Sequence, residues 1–440
     1  MIVEFRVANY RSFLGQQVLS FRASSDRSLQ ENIVSEGGER LLRTVLVIGS
    51  NASGKSNLVK AMQFMAQFVQ GSFAWQKPND PIAVDVCLLS AESQKRPSEF
   101  GVTFIWQGVR YQYDFAVTAH RVTYEALYFW PHHRRSLVFE RRWDSALQQE
   151  NYHFGVYMSG DREMLKSVTR PNALFVSTGA ALNHALLGEV YRWFGDSNMP
   201  GGRPIDAMPY AQFNRLLKAS PHYRPALLQL LKAADFTIVD YELREMPLRF
   251  FTDPPPEQAA YADVMAELLQ LQPGGEERPI NRLSLILKHV TRDGTAYELE
   301  SFQDSAGTQK YLYLALLLLM RFDDGRLLIA DEFDGSLHPL LCREYIRLFH
   351  TPEVNTRGAQ LLAVTHDTSL ISTDLVRRDQ VWLVEKGDDG ASEIFSLAEI
   401  GVRKDESLQR GYLLGRYGAV PYLGDFQLAV EMSAHNGNAQ

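Results

Sequence analysis

One eight-residue segment, G-S-N-A-S-G-K-S at residues 49–56, constrains this chain more than any other feature. It fits the pattern G-x-x-x-x-G-K-[ST], in which glycines let the backbone curl so that its N–H groups can face phosphate oxygens. The segment follows T-V-L-V-I-G (44–49), a run rich in β-branched residues, and it precedes a helical pattern. A strand, a tight turn and a helix N-terminus in this order predict a phosphate-binding loop.

Individual roles follow from the chemistry of this loop. Lys55 is expected to reach the β- and γ-phosphates of ATP, which makes it a predicted catalytic residue, and Ser56 is expected to ligate Mg²⁺. The other predicted nucleotide contacts in this segment are Gly49, Ser50, Asn51, Ala52, Ser53, Gly54 and Asn57. The alternative is a chance glycine-rich turn, which the strand and helix on either side disfavour.

A second segment, L-L-I-A-D-E-F-D at 327–334, places two carboxylates directly after four apolar residues. In an open α/β sheet, ligands bind beyond the carboxyl ends of the strands. We therefore expect Asp331 to hold Mg²⁺, directly or through water, and Glu332 to orient or deprotonate the attacking water. Taken alone, this pair is equally compatible with a solvated strand–loop junction, and the phosphate-binding loop in the same chain favours the catalytic interpretation.

Two weaker features could contact the same phosphates. His366 ends the apolar run Q-L-L-A-V-T-H (360–366), where it could reach a γ-phosphate or simply end a strand. The segment D-S-A-G-T-Q (304–309) begins a long apolar helix, and a helix N-terminus with small and hydroxyl-bearing residues can bind an anion. An ordinary helix N-cap is expected there in either case. The predicted nucleotide contacts of this segment are Ser305, Gly307 and Thr308.

The order of these elements resembles the ATPase heads of the SMC, RecF and ABC superfamily. In those heads the serine–glycine helix start is the signature motif, which binds the γ-phosphate held by the opposite subunit. D-G-S-L-H (334–338) looks like the D-loop, and His366 like the switch histidine. N-Y-R-S-F (9–13) is similar to the N-terminal segment that lies near the base and sugar of the nucleotide in these heads. This similarity implies that Arg11 contacts the nucleotide. The resemblance also implies ATP and Mg²⁺ as cofactors, and a head-to-head homodimer or a higher homo-oligomer.

A narrower resemblance extends over most of the chain. T-R-P-N-A-L-F (169–175), F-D-G-S-L-H-P (333–339) and the tail segment 411–421 are similar to stand-alone ATPases of bacterial abortive-infection and phage-defence systems. These are the RloA and AbiL types and the related ATPase subunit AriA of PARIS. The resemblance implies a sensor or switch that controls a separately encoded effector, commonly a nuclease with a TOPRIM-like fold. A phage trigger protein or DNA would be a further partner.

The succession of elements predicts an α/β fold, namely an ABC-type P-loop ATPase head with a mixed sheet, an antiparallel meander and an inserted helical subdomain. Residues 1–153 are expected to form an N-terminal ATPase lobe, with the meander over 99–142. Residues 154–282 carry helical patterns broken by proline and glycine. Residues 283–440 are expected to form a C-terminal ATPase lobe with the signature, the carboxylate pair, the switch histidine and the tail.

Three further segments carry expectations about local structure. Residues 23–42 are polar and are expected to be a loop. S-L-I-L-K-H-V (284–290) is expected to join a mostly parallel sheet, because strands alternate from there onward with helices expected over 308–321 and 339–350. A basic cluster in the meander is either a contact surface for nucleic acid or an acidic protein, or a solvated hairpin tip. Its members are His132, His133, Arg134, Arg135, Arg141 and Arg142.

Composition excludes several classes of protein. The 440 residues are 45% hydrophobic and 22% charged, and the formal net charge of −7 gives no global basic field for non-specific nucleic-acid binding. Two cysteines are too few for a disulfide framework or a thiolate zinc site. The N-terminus lacks the pattern of a signal peptide, and the longest apolar run, 311–320, is shorter than the roughly 20 residues that span a bilayer. A cytoplasmic protein without a membrane partner is therefore expected.

Three functions are compatible with these features. The first is the defence switch described above. The second is a DNA-repair ATPase of RecF or OLD type that binds DNA directly, although no fused TOPRIM domain is expected after the head. The third is the nucleotide-binding subunit of a transporter, which the insertion and the tail disfavour.

Overall fold

The computed structural model describes residues 1–132, 134–195, 210–234, 236–247, 281–291, 293–403 and 406–421. The strands are β1 Ile2–Ala8, β2 Gln17–Ser20, β3 Ile33–Glu36, β4 Glu39–Leu42, β5 Thr44–Gly49, β6 Ser98–Trp106, β7 Val109–Val117, β8 Val122–Phe129, β9 Ser136–Asp144, β10 Gln149–Phe154, β11 Ile238–Pro247, β12 Asn281–Val290, β13 Ala296–Glu300, β14 Leu327–Ala330, β15 Gln360–Val364, β16 Val381–Lys386 and β17 Ser392–Ser396. The α-helices are α1 Lys55–Gly71, α2 Arg162–Val168, α3 Phe175–Ala181, α4 Ala185–Trp193, α5 Tyr210–Ala219, α6 Arg224–Ala233, α7 Ala306–Asp324, α8 Pro339–His350 and α9 Leu408–Leu413.

The chain divides into two compact units. The first comprises Met1–Asp206 with Met320–Gln440, and the second comprises Ala207–Leu319. These bounds differ from the expected insertion over 154–282, because the helices that follow residue 154 contribute to the core of the first unit. Among the helices that the structure describes, none has the length and apolar character needed to cross a membrane.

A five-stranded sheet of the first unit has the strand order β14-β15-β5-β16-β17. The first four strands run parallel, and β17 pairs antiparallel with β16. β5 is the buried strand predicted at 44–49, and all six of its residues are buried. Because parallel strands end at the same edge of a sheet, the segments that follow β5, β14 and β15 emerge at one edge.

The other large sheet of the first unit is antiparallel, with the order β10-β9-β8-β7-β6-β1-β2. Its central strands confirm the meander predicted over 99–142. Helix α1 packs in the same hydrophobic core as this sheet and β5. The buried residues Leu58, Met62, Met65 and Val69 of α1 recur at the three- and four-residue spacing of one helix face.

Helices α2, α3 and α4 belong to this core as well. Leu165, Phe175 and Leu187 are buried in the same cluster as the strands of both sheets. Trp193 at the end of α4 stacks on Phe104 of β6, with ring centroids 3.9 Å apart. These helices therefore pack with the two large sheets of the first unit and form no part of a separate insertion.

The polar segment 23–42, expected to be a loop, contains the hairpin of β3 and β4 instead. Its turn residues Gly37 and Gly38 have φ of 55° and 81°. Positive φ at both central residues matches the twist that two-residue hairpins prefer. The hairpin packs Val34 and Leu41 against a small cluster around Ile105, and Leu42 lies in the main core of the first unit.

The second unit is not purely helical. It holds α5, α6 and a three-stranded antiparallel sheet with the order β11-β12-β13. The prediction that 284–290 joins a mostly parallel sheet is wrong, because β12 pairs antiparallel with both neighbours. An apolar run predicts a strand but not its partner, and β11 supplies a ten-residue partner within the same unit. The helical pattern at 262–271 lies outside the described residues.

These sheets confirm the α/β fold class, with a mixed sheet, an antiparallel meander and an inserted unit. The predicted helix at 339–350 coincides with α8, and the predicted helix at 308–321 lies within α7.

Candidate nucleotide-binding site

The segment 49–56 forms a tight turn between β5 and α1. Ala52 and Gly54 have φ of 59° and 112°, and left-handed residues within a tight turn direct neighbouring backbone N–H groups toward a common concavity. A Cβ atom on Gly49 would lie 2.2 Å from the carbonyl oxygen of Val384, and one on Gly54 would lie 2.3 Å from Ser392 Oγ. Position 49 therefore requires glycine for lack of space, and position 54 requires it for lack of space and for its left-handed backbone conformation.

Lys55 lies in the first turn of α1 and is only 6% exposed. Its Nζ atom donates to the carbonyl oxygens of Gly49 and Ser50 over 2.9 and 2.8 Å. Burial lowers the pKa of Lys55, and the negative charges of Asp331 and Asp334 oppose this shift. The ammonium group is thus held at the loop, within electrostatic reach of two carboxylates.

The segment after β14 carries the predicted carboxylate pair. Asp331 Oδ1 accepts a hydrogen bond from the backbone N–H of Glu332 over 3.1 Å. The next residue, Phe333, is fully buried, and its N–H donates to the carbonyl of Val364 at the end of β15 over 2.8 Å. Because Phe333 anchors this turn to β15, Asp331 is held half-buried at the sheet edge while Glu332 is exposed.

The segments after β14 and β15 are also joined by Asp334. Its Oδ1 atom accepts from the backbone N–H of His366 over 3.1 Å. The preceding Thr365 is buried and donates its N–H to Val47 of β5 over 3.1 Å. The exposed His366 is therefore fixed through its backbone to both neighbouring segments. The structure brings Lys55, Asp331, Glu332 and His366 to the same edge of the parallel sheet.

The N-terminal segment 9–13 lies against α1. Tyr10 packs on Phe64, and its hydroxyl donates to the carbonyl of Lys60 over 3.4 Å. Arg11 Nη2 lies 2.5 Å from Asp85 Oδ2, and its Nε donates to the Tyr10 hydroxyl over 3.3 Å. The predicted nucleotide contact Arg11 is thus paired with a carboxylate at the flank of the helix that follows the loop.

The predicted signature residues lie in the second unit. Ser305 Oγ accepts from the N–H of Thr308 over 3.1 Å and lies 2.8 Å from Thr308 Oγ1. This is the expected N-cap of α7. Ser305 is exposed, Gly307 is half-buried and Thr308 is buried. The role of these three residues at a nucleotide stays a prediction.

The basic cluster in the meander is not one surface. Arg141 is only 1% exposed, and its guanidinium binds the carboxylate of Glu150 over 2.8 Å and the carbonyl of Ala173 over 2.7 Å. It is therefore a structural residue. Arg142 is 63% exposed and lies over the ring of Tyr124, while His133 lies outside the described residues.

The donor set of the loop fits a nucleoside phosphate. The loop offers left-handed turns, two glycines without room for a side chain, and the Lys55 ammonium. Ser53 Oγ is buried and has no hydrogen-bond partner among the described residues. Ser56, half-buried at the start of α1, and Asp331 offer the hard oxygen ligands that Mg²⁺ prefers.

Three residues near the loop were not among the predicted site residues. Asp85 pairs with Arg11, Ser392 of β17 contacts Gly54, and Ser12 contacts both Ser392 and Asn57. No local motif marks Asp85 or Ser392, because both reach the site from distant positions in the chain. Asn57, predicted to contact nucleotide, donates its side-chain amide to Ser12 Oγ over 2.8 Å.

One protein family matches more than half of the chain. The family described as "AAA domain, putative AbiEii toxin, Type IV TA system" matches residues 45–153 and 218–372, which together exceed half of the chain. The matched residues include the loop 49–56, the predicted signature, the carboxylate pair and His366. No curated protein matches the chain.

Similar solved structures are SMC heads. An SMC head domain from Thermotoga maritima is 12% identical with a TM-score of 0.40, over 90% of this chain and 98% of that one. An SmcHead bound to the C-winged helix domain of ScpA is 12% identical with a TM-score of 0.38, over 90% and 97%. An Smc head with an extended coiled coil, bound to the C-terminal domain of ScpA from Pyrococcus furiosus, is 13% identical with a TM-score of 0.34, over 94% and 98%. On the strength of the family match, the chain belongs to the AAA-domain family that is named after the AbiEii toxin and type IV toxin–antitoxin systems.

Proposed function

We propose that this protein is a Mg²⁺-dependent ATPase whose active site is the edge of the parallel sheet formed by the loop 49–56, Asp331, Glu332 and His366. The observation that carries the proposal is the placement of the buried Lys55 ammonium at the loop, within electrostatic reach of Asp331 and Asp334. The site therefore combines a cation that can bind phosphate with carboxylates that can bind a metal ion. A nucleotide hydrolase requires both kinds of group.

The roles of the residues follow from their positions. The N–H groups of the loop and Lys55 hold the phosphates, while Ser56 and Asp331 hold Mg²⁺. Mg²⁺, when bound, neutralises charge on the phosphate oxygens. Glu332, exposed beyond the buried Phe333, orients or deprotonates the attacking water. His366, fixed through its backbone by Asp334, is placed to contact the γ-phosphate.

We further propose that two chains close head to head around ATP, with higher assemblies built on that dimer. The start of α7, with Ser305, Gly307 and Thr308, would then bind the γ-phosphate held by the partner chain. The position of Ser305, which places an exposed hydroxyl at the N-terminus of a 19-residue helix, supports this role.

For the biological role, we propose that this protein is the sensor or switch of a two-component anti-phage system of abortive-infection type. In this proposal it is related to RloA, AbiL and AriA. The family name, which refers to a toxin and to toxin–antitoxin systems, supports this class of role. In this proposal ATP sets the state of a separately encoded effector, a nuclease with a TOPRIM-like fold. A phage protein or DNA acts as the trigger.

Lys55→Ala tests the ATPase and the defence role together. We expect the purified variant to lose ATP hydrolysis, because no other described cation takes its place at the loop. The matched control is Lys60→Ala, an exposed lysine on the same helix. Wild-type turnover by Lys55→Ala would overturn the site.

The defence role needs a cellular experiment. This gene and its neighbouring gene are expressed alone and together, with and without phage. We expect toxicity and protection only when both genes are present and Lys55 is intact. Full protection from this gene alone would reject the two-component proposal and favour an ATPase of RecF or OLD type that acts on DNA directly.

A further inference from the structure

Behind the phosphate-binding loop, three elements meet at a chain of polar side chains. Asn57 of α1 donates its Nδ2 to Ser12 Oγ in the N-terminal segment over 2.8 Å. Ser12 Oγ lies 2.8 Å from Ser392 Oγ of β17, and Ser392 Oγ lies 2.5 Å from the carbonyl oxygen of Ser53 in the loop. The N–H of Ser392 also donates to the carbonyl of Ser12 over 2.8 Å, which holds β17 against the N-terminal segment.

The number of available hydrogen-bond donors fixes the direction of every hydrogen bond in this series of polar side chains. The Ser53 carbonyl can only accept, so the one hydroxyl proton of Ser392 goes to it. Ser392 Oγ must then accept from the hydroxyl of Ser12. Ser12 in turn accepts from the amide nitrogen of Asn57, which can only donate. Every member is satisfied, and hydrogen bonds that run in one direction polarise and strengthen one another.

The last hydrogen bond sets the orientation of the peptide group between Ser53 and Gly54. In a planar trans peptide the C=O and N–H groups point in opposite directions. Because Ser392 holds the Ser53 carbonyl toward β17, the N–H of Gly54 faces away from β17. That N–H is one of the groups with which a glycine-rich loop contacts phosphate oxygens.

The packing around Gly54 matches this arrangement. A Cβ atom on Gly54 would lie 2.3 Å from Ser392 Oγ and 2.9 Å from Ser12 Oγ. Ser392 is only 1% exposed, so water cannot easily replace its hydroxyl as the hydrogen-bond donor to the Ser53 carbonyl. Both serines lie outside the residues matched by the family.

We propose that Ser392 and Ser12 are positioning residues for nucleotide binding, which orient the Ser53–Gly54 peptide without touching the nucleotide. The inference rests on the proposed ATPase function. It assigns the side chain of Asn57 to this chain of hydrogen bonds, and it makes the N-terminal segment and β17 part of the binding machinery.

The test is Ser392→Ala, measured as the dissociation constants of ADP and ATP by calorimetry and as hydrogen exchange of residues 50–57 without nucleotide. We expect about tenfold weaker binding of both nucleotides, because a buried carbonyl loses its donor, and faster exchange in the loop. The matched control is Ser396→Ala on the same strand, whose buried hydroxyl oxygen accepts from Glu399 N–H and does not contact the loop. It should leave both readouts unchanged.

A double variant tests the serial arrangement. Because Ser12 acts through Ser392, Ser12→Ala combined with Ser392→Ala should weaken binding no more than Ser392→Ala alone. If Ser392→Ala fails to fold, the nucleotide dissociation constants and the hydrogen exchange of the loop are measured on Ser12→Ala instead.

The outcomes separate this inference from the proposed function. A wild-type protein that binds no nucleotide rejects the ATPase. Nucleotide binding by the wild type, with equal affinity and equal loop exchange in Ser392→Ala, rejects the positioning role alone. Equal losses in Ser392→Ala and Ser396→Ala would show a general effect on β17 and would also reject it.

Discussion

Single residues at this site adopt backbone conformations that most side chains avoid. Five non-glycine residues with left-handed φ lie in the segments that form it, namely Asn9, Arg11, Ala52, Glu332 and Ser336. Such conformations each cost on the order of 1–3 kcal/mol and persist where the surrounding structure holds them. Glu332 is held by the anchored Phe333 that follows it, so its carboxylate stays at the exposed side of the sheet edge.

Glu332→Gln should separate binding from hydrolysis. The amide keeps the size of the side chain but can neither deprotonate water nor carry the negative charge that orients it. We expect turnover to fall by a factor on the order of 10²–10⁴, with ATP affinity retained and a closed dimer accumulating. Single-turnover kinetics and native mass spectrometry with ATP and Mg²⁺ measure both effects. The control is Glu344→Gln, an exposed carboxylate paired with Arg347 on α8, and unchanged turnover in Glu332→Gln would remove Glu332 from the mechanism.

At the scale of elements, one buried carboxylate attaches a short helix to the antiparallel sheet. Glu125 of β8 is fully buried and accepts from the N–H groups of Phe175 and Val176 at the start of α3, over 2.7 and 3.0 Å. The hydroxyl of Tyr113 donates to the same carboxylate over 2.9 Å, and the Arg141 guanidinium lies 3.7 Å away. Helix α3 has only seven residues, and this anchor acts together with the burial of Phe175 and Val176 to hold it in place.

Glu125→Gln should therefore destabilise the first unit. An amide offers one acceptor oxygen and turns an NH₂ group toward a backbone N–H, so one buried donor loses its partner. We expect a loss on the order of 1–3 kcal/mol in the free energy of unfolding, measured by urea titration. Glu140→Gln, a more exposed carboxylate on β9, is the control. An equal, small effect of both variants would contradict the anchoring role.

A buried histidine joins α8 to β5. His350 Nε2 lies 2.7 Å from Thr44 Oγ1 and 3.2 Å from Gln380 Nε2. Burial, helped by the charge of Arg43, lowers the pKa of His350 from 6.5 to about 3. The folded protein therefore keeps this imidazole neutral at pH values where the unfolded chain binds a proton.

This shift predicts the pH dependence of stability. Well above pH 6.5 both states are neutral at His350, and its contribution to the free energy of unfolding is fully present. As the pH falls from about 6.5 toward 3, only the unfolded state gains the proton, and stability drops by up to about 1.4 kcal/mol per pH unit. Urea titrations at pH 7, 6 and 5 should show a shallower decline for His350→Gln than for the wild type. Parallel declines would show that His350 contributes nothing to the acid sensitivity.

At the scale of the whole molecule, the predicted nucleotide contacts are divided between two compact units. The loop, Asp331 and Glu332 belong to the first, and Ser305, Gly307 and Thr308 belong to the second. In the proposed dimer the two sets are supplied by different chains.

Mixing two inactive variants tests that arrangement. Lys55→Ala removes the phosphate cation, and Gly307→Asp brings a carboxylate to the start of α7, where it would repel the γ-phosphate of the partner chain. Neither variant should hydrolyse ATP alone, whereas a mixed dimer has one intact composite site and should recover activity. Hydrolysis is measured after native mass spectrometry has shown that mixed dimers form. Mixed dimers without any activity would argue against sharing in trans.

The loop 49–56, the carboxylate pair, the strands that precede them and the helix at 339–350 could all be predicted from the amino-acid sequence alone. These features depend on a few consecutive residues whose spacing and chemistry are local. The fold was needed to show that Arg141 is buried, that β12 pairs antiparallel within the second unit, and that Ser12 and Ser392 meet behind the loop. Each of these depends on contacts with segments elsewhere in the fold, and local spacing carries no information about such partners.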